Sequence, residues 1–281
     1  MKKIKKGDIV VSNIYDNNIL FRVESLSTIN SEKTAMLKGI LDRIQLETTI
    51  NKIDKISGKE IKDIVRIRRN REIEKIYNLE IEKNSNFKNK SLEGYSRNVE
   101  NLVPGKILHV DGDRKYSEKS NKYYKKLGLD AIVKNVPEYL QPNIIYELLK
   151  KYEPDVLIIT GHDGMIRKGT RYNDINNYRN SKYFIETVKE ARKYDEGKED
   201  KIAIFAGACQ SYFEELILAG ANFASSPGRI LIDFVDPILV AKKIALTDEK
   251  EFIGIEEIEG ELKEGKKGID GIGSNGKMKK I

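Results

Sequence analysis

The chain carries one cysteine, Cys209, and two histidines, His109 and His162, so few of its side chains can do nucleophilic or acid–base chemistry near neutral pH. Cys209 lies in KIAIFAGACQS and His162 in VLIITGHDG, each just past an apolar run and a glycine. A thiol has an ordinary pKa of about 8.5 and attacks as the thiolate. A neighbouring imidazole can take its proton and later deliver it to a leaving amine. Taken singly, a cysteine after a strand is ordinarily an inert buried thiol and a loop histidine a hydrogen-bonding group. Their shared placement makes the pair a candidate cysteine-hydrolase dyad. His109, in ILHV, precedes Val110 and is expected to point into the sheet or its face, which leaves it as the reserve base.

Two side chains 209 − 162 = 47 residues apart meet only if a scaffold returns the chain to the same edge. The sequence after Pro104 supplies one. ILHV, AIV, VLIIT, IAIFA and NFASS are short apolar runs. Between and after them come SEKSNKYYKKLG, PNIIYELLKKY, NSKYFIETVKEARKY, SYFEELILAG and DFVDPILVAKKIAL, which have helical apolar spacing. Strands alternating with helices imply parallel pairing through right-handed crossovers, a doubly wound α/β sheet, in which functional groups collect beyond the carboxyl ends of the strands. Asn180 is the expected cap of the third helix, and a helix starting near Ser211 would place Cys209 at its N-terminal dipole. Gly161, Gly164 and Gly207 leave room for a substrate backbone.

Before that domain, KGDIVVSNIYDNNILFRVESL and TAMLKGILDRIQLET read as short strands with an Asp-Asn-Asn turn, a small SH3-like β-barrel over 1–50. Residues 51–102 form a charged connector with apolar positions at Ile67, Ile73, Ile76 and Leu79, and a loop-rich boundary at 84–98. The α/β unit spans 103–255. The Gly/Lys-rich tail, 256–281, lacks apolar periodicity beyond residue 260 and reads as flexible.

Composition narrows the function classes. One cysteine excludes an internal disulfide and a cysteine-based metal cluster, and two histidines leave little for zinc; no metal or cofactor is expected. No apolar run reaches about 18 residues, so no membrane span is predicted. MKKIKK is followed by Gly7 and Asp8 where a signal peptide needs an apolar core, which points to a cytoplasmic protein. The net charge of +7 is spread among 44 acids, so nucleic acid is not the expected partner. No phosphate-binding glycine motif follows a strand.

VLIITGHDG and IAIFAGACQS together resemble the caspase, gingipain, clostripain and legumain group of cysteine peptidases. With KGDIV, HVDGD and ASSPGRILIDFVDPI added, most of the chain resembles the YabG family of sporulation peptidases within that group. The resemblance implies a caspase-hemoglobinase-like sheet, a Cys209–His162 dyad, and cleavage of spore coat and related proteins after arginine or lysine. It also implies work in the mother cell or on the forespore side, in association with the coat. The N-terminal barrel would dock substrate or a coat protein. The group usually has glycine directly after the catalytic histidine, whereas this chain has Asp163 there and Gly164 next. The expected oxyanion donors are therefore the N–H groups of Asp163 or Gly164 together with that of Cys209. Basic specificity requires a carboxylate, since a buried guanidinium left unpaired is strongly penalised. Asp111 and Asp113, at the end of the first core strand, are the first candidates, with a pair of turn aspartates around Gly112 as the plain alternative. Asp233 and Asp236 follow, Asp233 also being a possible helix cap. Self-cleavage is expected at exposed Arg66, Arg68, Arg69 or Arg71, or in the tail. The competing reading is a noncatalytic protein that binds nucleic acid or coat through the basic barrel.

Overall fold

The computed structural model describes residues 3–29, 31–70, 102–166 and 170–280. The N-terminal strands β1 (Ile9–Ser12), β2 (Phe21–Ile29), β3 (Glu32–Gly39), β4 (Gln45–Thr49) and β5 (Ile53–Lys55) form one antiparallel sheet, ordered β4-β3-β2-β1-β5. Alternation turns Val10, Phe21, Val23, Ala35, Leu37 and Leu46 into a common core. The Asp-Asn-Asn turn forms as its residue types favour, with Asp16 and Asn17 left-handed at φ 50° and 56°. The edge strand β5 lies just beyond residue 50. Helix α1 covers 58–70 and opens on a capping box, in which Ser57 N–H donates to Glu60 Oε2 at 3.0 Å and Glu60 N–H to Ser57 Oγ at 3.3 Å. Ile67 is 49% exposed, so the expected apolar stripe is not buried there. Ile73, Ile76, Leu79, Arg71 and the 84–98 boundary lie outside the described residues.

The second unit is α/β. Its strands are β7 (Ile107–Asp111), β8 (Ala131–Asn135), β9 (Val156–Thr160), β10 (Ala203–Ala206), β11 (Phe223–Ser225) and β13 (Ile269–Gly271), ordered β13-β11-β10-β9-β7-β8. Pairs among β7 to β11 are parallel, and β13 closes the sheet antiparallel to β11. Helices α2 (Arg114–Leu127) and α6 (Asp236–Leu246) bury Tyr116, Tyr124, Ile238 and Ile244 against Ile107, Val156, Ile158 and Phe205. On the opposite face α3 (Gln141–Tyr152), α4 (Ser181–Tyr194) and the short α5 (Phe213–Leu218) bury Ile145, Phe184, Val188 and Leu216 against Leu108, Leu157, Ile159 and Ile204. Strand residues of alternate parity serve opposite layers, as near-continuous apolar strands require.

Two expectations change. The helix after Cys209 begins at Phe213 rather than near Ser211 and has six residues, so it gives Cys209 no N-terminal dipole. The cause is local: Ser211 Oγ accepts from Ala208 N–H at 2.9 Å and donates to Asp163 Oδ2 at 2.9 Å, which holds 208–211 as a loop. The tail is ordered, correcting the flexible reading. Beyond β12 (Phe252–Ile253), it supplies β13 to the main sheet, β14 (Ser274–Asn275) to β12, and β15 (Lys279–Lys280) to β6 (Leu102–Val103). Ile269 is fully buried, worth about 1.5–3 kcal/mol, and Lys277 Nζ bonds the Lys201 carbonyl at 2.6 Å. Single apolar residues docked by strand pairing leave no periodicity to read. Among the described residues no helix is long and apolar enough to cross a membrane.

Candidate active site

Register decides whether the cysteine and histidine share an edge. Strands β9 and β10 are parallel neighbours with Ile159 opposite Ala206, an offset of 206 − 159 = 47 residues. His162 and Cys209 differ by the same 47, so each extends its strand by an equal step past that pair. Parity places both on the α2/α6 side. Cys209 belongs to the buried cluster holding Tyr116 and Phe234, and the His162 ring stands edge-on to Tyr116 with centroids 6.0 Å apart.

Both groups are closed off from water. Cys209 is fully buried, and its thiol donates only to the Ile232 carbonyl at 3.8 Å. Burial and the charge of Asp42 push the thiol up to about 12, against the opposing pull of Arg43 and the Ile232 hydrogen bond. His162 is 1% exposed, and neither ring nitrogen has a hydrogen-bond partner among the described residues. Burial and the Lys38 charge drive it down to about 3, against Asp113 and Asp111. No hydrogen bond joins thiol and imidazole, and both groups are neutral in this state. The nearest carboxylate oxygens to His162 Nδ1 are Asp113 Oδ2 at 3.9 Å and Glu138 Oε1 at 4.0 Å.

The loops are fixed from behind. Glu138 accepts from His162 N–H at 2.7 Å, and a Cβ on Gly161 would come within 2.5 Å of the same carboxylate. Asp163 is a buried hub: it accepts from Gly164 N–H at 2.8 Å, Asn180 N–H at 2.9 Å, Ser211 Oγ at 2.9 Å and Ser181 Oγ. That hub ties the histidine loop to α4 and to the cysteine loop. Burial raises its carboxyl to about 6 despite these bonds. Asn180 precedes α4 but caps it without its side chain, because Nδ2 donates to the His162 carbonyl at 2.7 Å.

Of the expected oxyanion donors, Gly164 N–H is engaged by Asp163 Oδ1 and Asp163 N–H by the Arg43 carbonyl at 3.4 Å. His109 lies in β7, fully buried, with Nδ1 3.1 Å from Tyr124 Oη and Nε2 2.7 Å from Thr160 Oγ1. Asp111, also fully buried, accepts from Arg43 Nη1 at 3.0 Å, Thr160 Oγ1 at 2.6 Å and Asp113 N–H at 2.7 Å. Asp113 caps α2 and pairs with Lys38 at 3.1 Å. Asp233 and Asp236 stand at the start of α6, where Asp233 Oδ1 accepts from Val235 N–H at 3.1 Å and Asp236 Oδ2 from Asp233 N–H at 2.8 Å. Sequence reasoning missed Arg43, Glu138 and Tyr116. Each comes from a separate element, and their local sequence carries no signal. Among the described residues no three histidine, cysteine or carboxylate side chains are grouped to hold a metal.

Comparison with known proteins agrees with the pattern. The family described as YabG peptidase U57 matches residues 5–281. The chain is 36% identical to the sporulation-specific protease YabG of Bacillus subtilis (strain 168) over 291 aligned positions, covering 97% of this chain and 96% of that protein. Among solved structures, the receiver domain of the histidine kinase CKI1 from Arabidopsis thaliana aligns at a TM-score of 0.28 and 14% identity, covering 42% of this chain and 79% of that one; so low a score carries no argument. The full-length match and the shared identity establish that this chain belongs to the YabG peptidase U57 family.

Proposed function

We propose that this peptidase is a sporulation-associated cysteine endopeptidase that cleaves spore coat and related proteins after arginine, using Cys209 and His162. The observation that carries this reading is the 47-residue offset shared by the β9–β10 register and the Cys–His pair. The α/β sheet is then of the caspase-hemoglobinase kind and the N-terminal sheet an SH3-like docking unit. In the reaction His162 takes the Cys209 thiol proton as Sγ bonds to the scissile carbonyl carbon. The imidazolium returns that proton to the leaving amine as the C–N bond breaks, and water hydrolyses the thioester. Cys209 N–H, which makes no hydrogen bond among the described residues, is the oxyanion donor that needs no rearrangement. A second donor requires Asp163 N–H to leave the Arg43 carbonyl.

The closed site must open for this chemistry, because a thiol at about 12 beside a histidine at about 3 holds no ion pair. Water and substrate entering the site would relieve the burial that separates the two values. Of the expected self-cleavage sites, Arg66 and Arg69 are exposed, Arg66 in a surface pair with Asp63 at 3.1 Å, whereas Arg68 is held by buried Asp42 at 2.9 Å.

The test is to map new N-termini in an isolated coat protein after incubation with wild type or Cys209→Ala. New ends following arginine should appear with wild type and vanish with the variant. The same ends with Cys209→Ala, at undiminished rate, sink the assignment.

A further inference from the structure

The carboxylate best buried for a substrate arginine already holds one. Arg43 and Asp111 are 1% and 0% exposed and come from the loop between β3 and β4 and the end of β7 respectively. The guanidinium also lies over the Tyr116 ring, 5.5 Å from its centroid, and its charge lowers the pKa of both Cys209 and His162. An arginine cation over Tyr116 therefore acts electrostatically on both the proposed nucleophile and base.

The main chain follows the side chain. Ile44 forms a parallel bridge with Asp163, Gln45 N–H donates to the Asp163 carbonyl at 3.0 Å, and Asp163 N–H donates to the Arg43 carbonyl. Gly164, whose missing side chain leaves room for an approaching backbone, is approached by this chain's own: a Cβ there would stand 2.2 Å from the Gln45 carbonyl oxygen. Extended backbone along a loop edge with an arginine in an acidic pocket is how an edge-bound peptide is recognised.

We infer that Arg43 is an internal occupant of the arginine-specificity pocket at Asp111, and that residues 43–45 lie along the edge at Asp163 where substrate backbone docks. This rests on the proposed arginine-specific activity and deepens it by naming the pocket and what must leave it. The fit is incomplete in a way that favours exchange. Only Nη1 bonds Asp111, and buried Nε and Nη2 have no partner among the described residues. Guanidinium–carboxylate pairs are strongest when bidentate, and an unpartnered buried donor is destabilising. A substrate arginine able to pair both nitrogens competes well against this one. Until the loop carrying Arg43 leaves the pocket, the enzyme is latent, and apparent affinity for substrate is reduced by the closed fraction.

The test is calorimetric binding of the peptide acetyl-Ala-Ala-Arg-amide to full-length Cys209→Ala, with and without Arg43→Ala. Removing Arg43 should tighten binding at least about tenfold, since a tethered competitor acts at an effective concentration in the millimolar range. Citrulline in place of the peptide arginine, or Asp111→Asn added to the protein, should abolish the gain. If Arg43→Ala lacks a cooperative melt, Arg43→Lys, which keeps a cation for Asp111, is measured instead and should also bind the peptide more tightly than its parent. A folded Arg43 variant whose binding is unchanged, or equal for the citrulline peptide, overturns the inference. Because this readout needs no catalysis, loss of coat cleavage in Cys209→Ala with no effect of Arg43 on binding rejects the pocket alone. An Arg43-dependent, citrulline-sensitive gain alongside undiminished cleavage by Cys209→Ala rejects the dyad alone.

Discussion

The two histidines of this chain share burial and differ in company. His109 lies inside β7 and His162 beyond the end of β9; each is at most 1% exposed, and burial drives each down to about 3. At His109 both nitrogens are matched, by Tyr124 Oη and Thr160 Oγ1. At His162 neither nitrogen is. A buried polar group without a partner costs about 1–3 kcal/mol, so His109 is a solved packing problem while His162 carries an uncompensated cost at the sheet edge that also holds the only cysteine. A perturbed titration alone does not separate a structural histidine from a reactive one. Unfilled hydrogen-bonding capacity is what distinguishes His162 from His109.

Replacing each histidine by leucine, similar in bulk and unable to hydrogen-bond, tests that contrast most severely. His162→Leu should lower coat-protein cleavage by about 10²–10⁴-fold, the usual contribution of a general acid–base, and leave the urea midpoint unchanged or higher. His109→Leu should do the reverse, losing roughly 1–3 kcal/mol for the Tyr124 hydroxyl left short, since Thr160 keeps its bond to Asp111, while activity tracks the folded fraction. Activity lost in fully folded His109→Leu would transfer the base role to the reserve residue.

A smaller effect should be common to both. Each histidine has a folded pKa near 3 against an ordinary 6.5, so its contribution is fully present above pH 6.5 and is lost as pH falls toward 3. Asp163 acts oppositely: raised to about 6 from 3.8, its contribution is full below 3.8 and is lost as pH rises through 6. Burial raises Asp42 and Glu138 as well, so three carboxyls oppose the fall in urea midpoint that the two histidines produce from pH 7 to pH 5, and the variants isolate the histidine share. Either leucine variant should flatten that slope by up to about 1.4 kcal/mol per pH unit. A slope unchanged in His162→Leu would mean that the open, solvated site dominates in solution.

How much of this could be read from residues follows from how far apart the partners lie. VLIIT matches β9, α2 stops at Gly128 with φ 70° as a left-handed helix cap allows, and the spacing of His162 and Cys209 equals the register offset, because those features are local or set by neighbouring strands. Arg43 meets Asp111 across 68 residues and Glu138 meets His162 across 24, on contacts that no periodicity encodes. Asn180 was legible as the residue before α4, but not as the clamp on the His162 carbonyl. Ser211 looked like a helix start and instead bonds Asp163. What the sequence hid is the second ring of contacts, where a side chain's local role gives way to a distant one.

The smallest expected effect isolates the electrostatics of the open-ended histidine. Lys38 pairs with Asp113 at 3.1 Å, and its charge is among the causes that lower His162, whereas only burial and Arg43 act on His109. Lys38→Met removes that repulsion, so the folded His162 value rises toward 6.5 and less stability is lost on acidification. The change should be no more than about 1 kcal/mol, since Lys38 is one-third exposed and solvent screens it. Made in the His162→Leu background, the same substitution should leave the acid limb of the stability profile where it was, because the group it acts through is gone. An equal shift in both backgrounds would place the effect on Asp113 rather than on the imidazole.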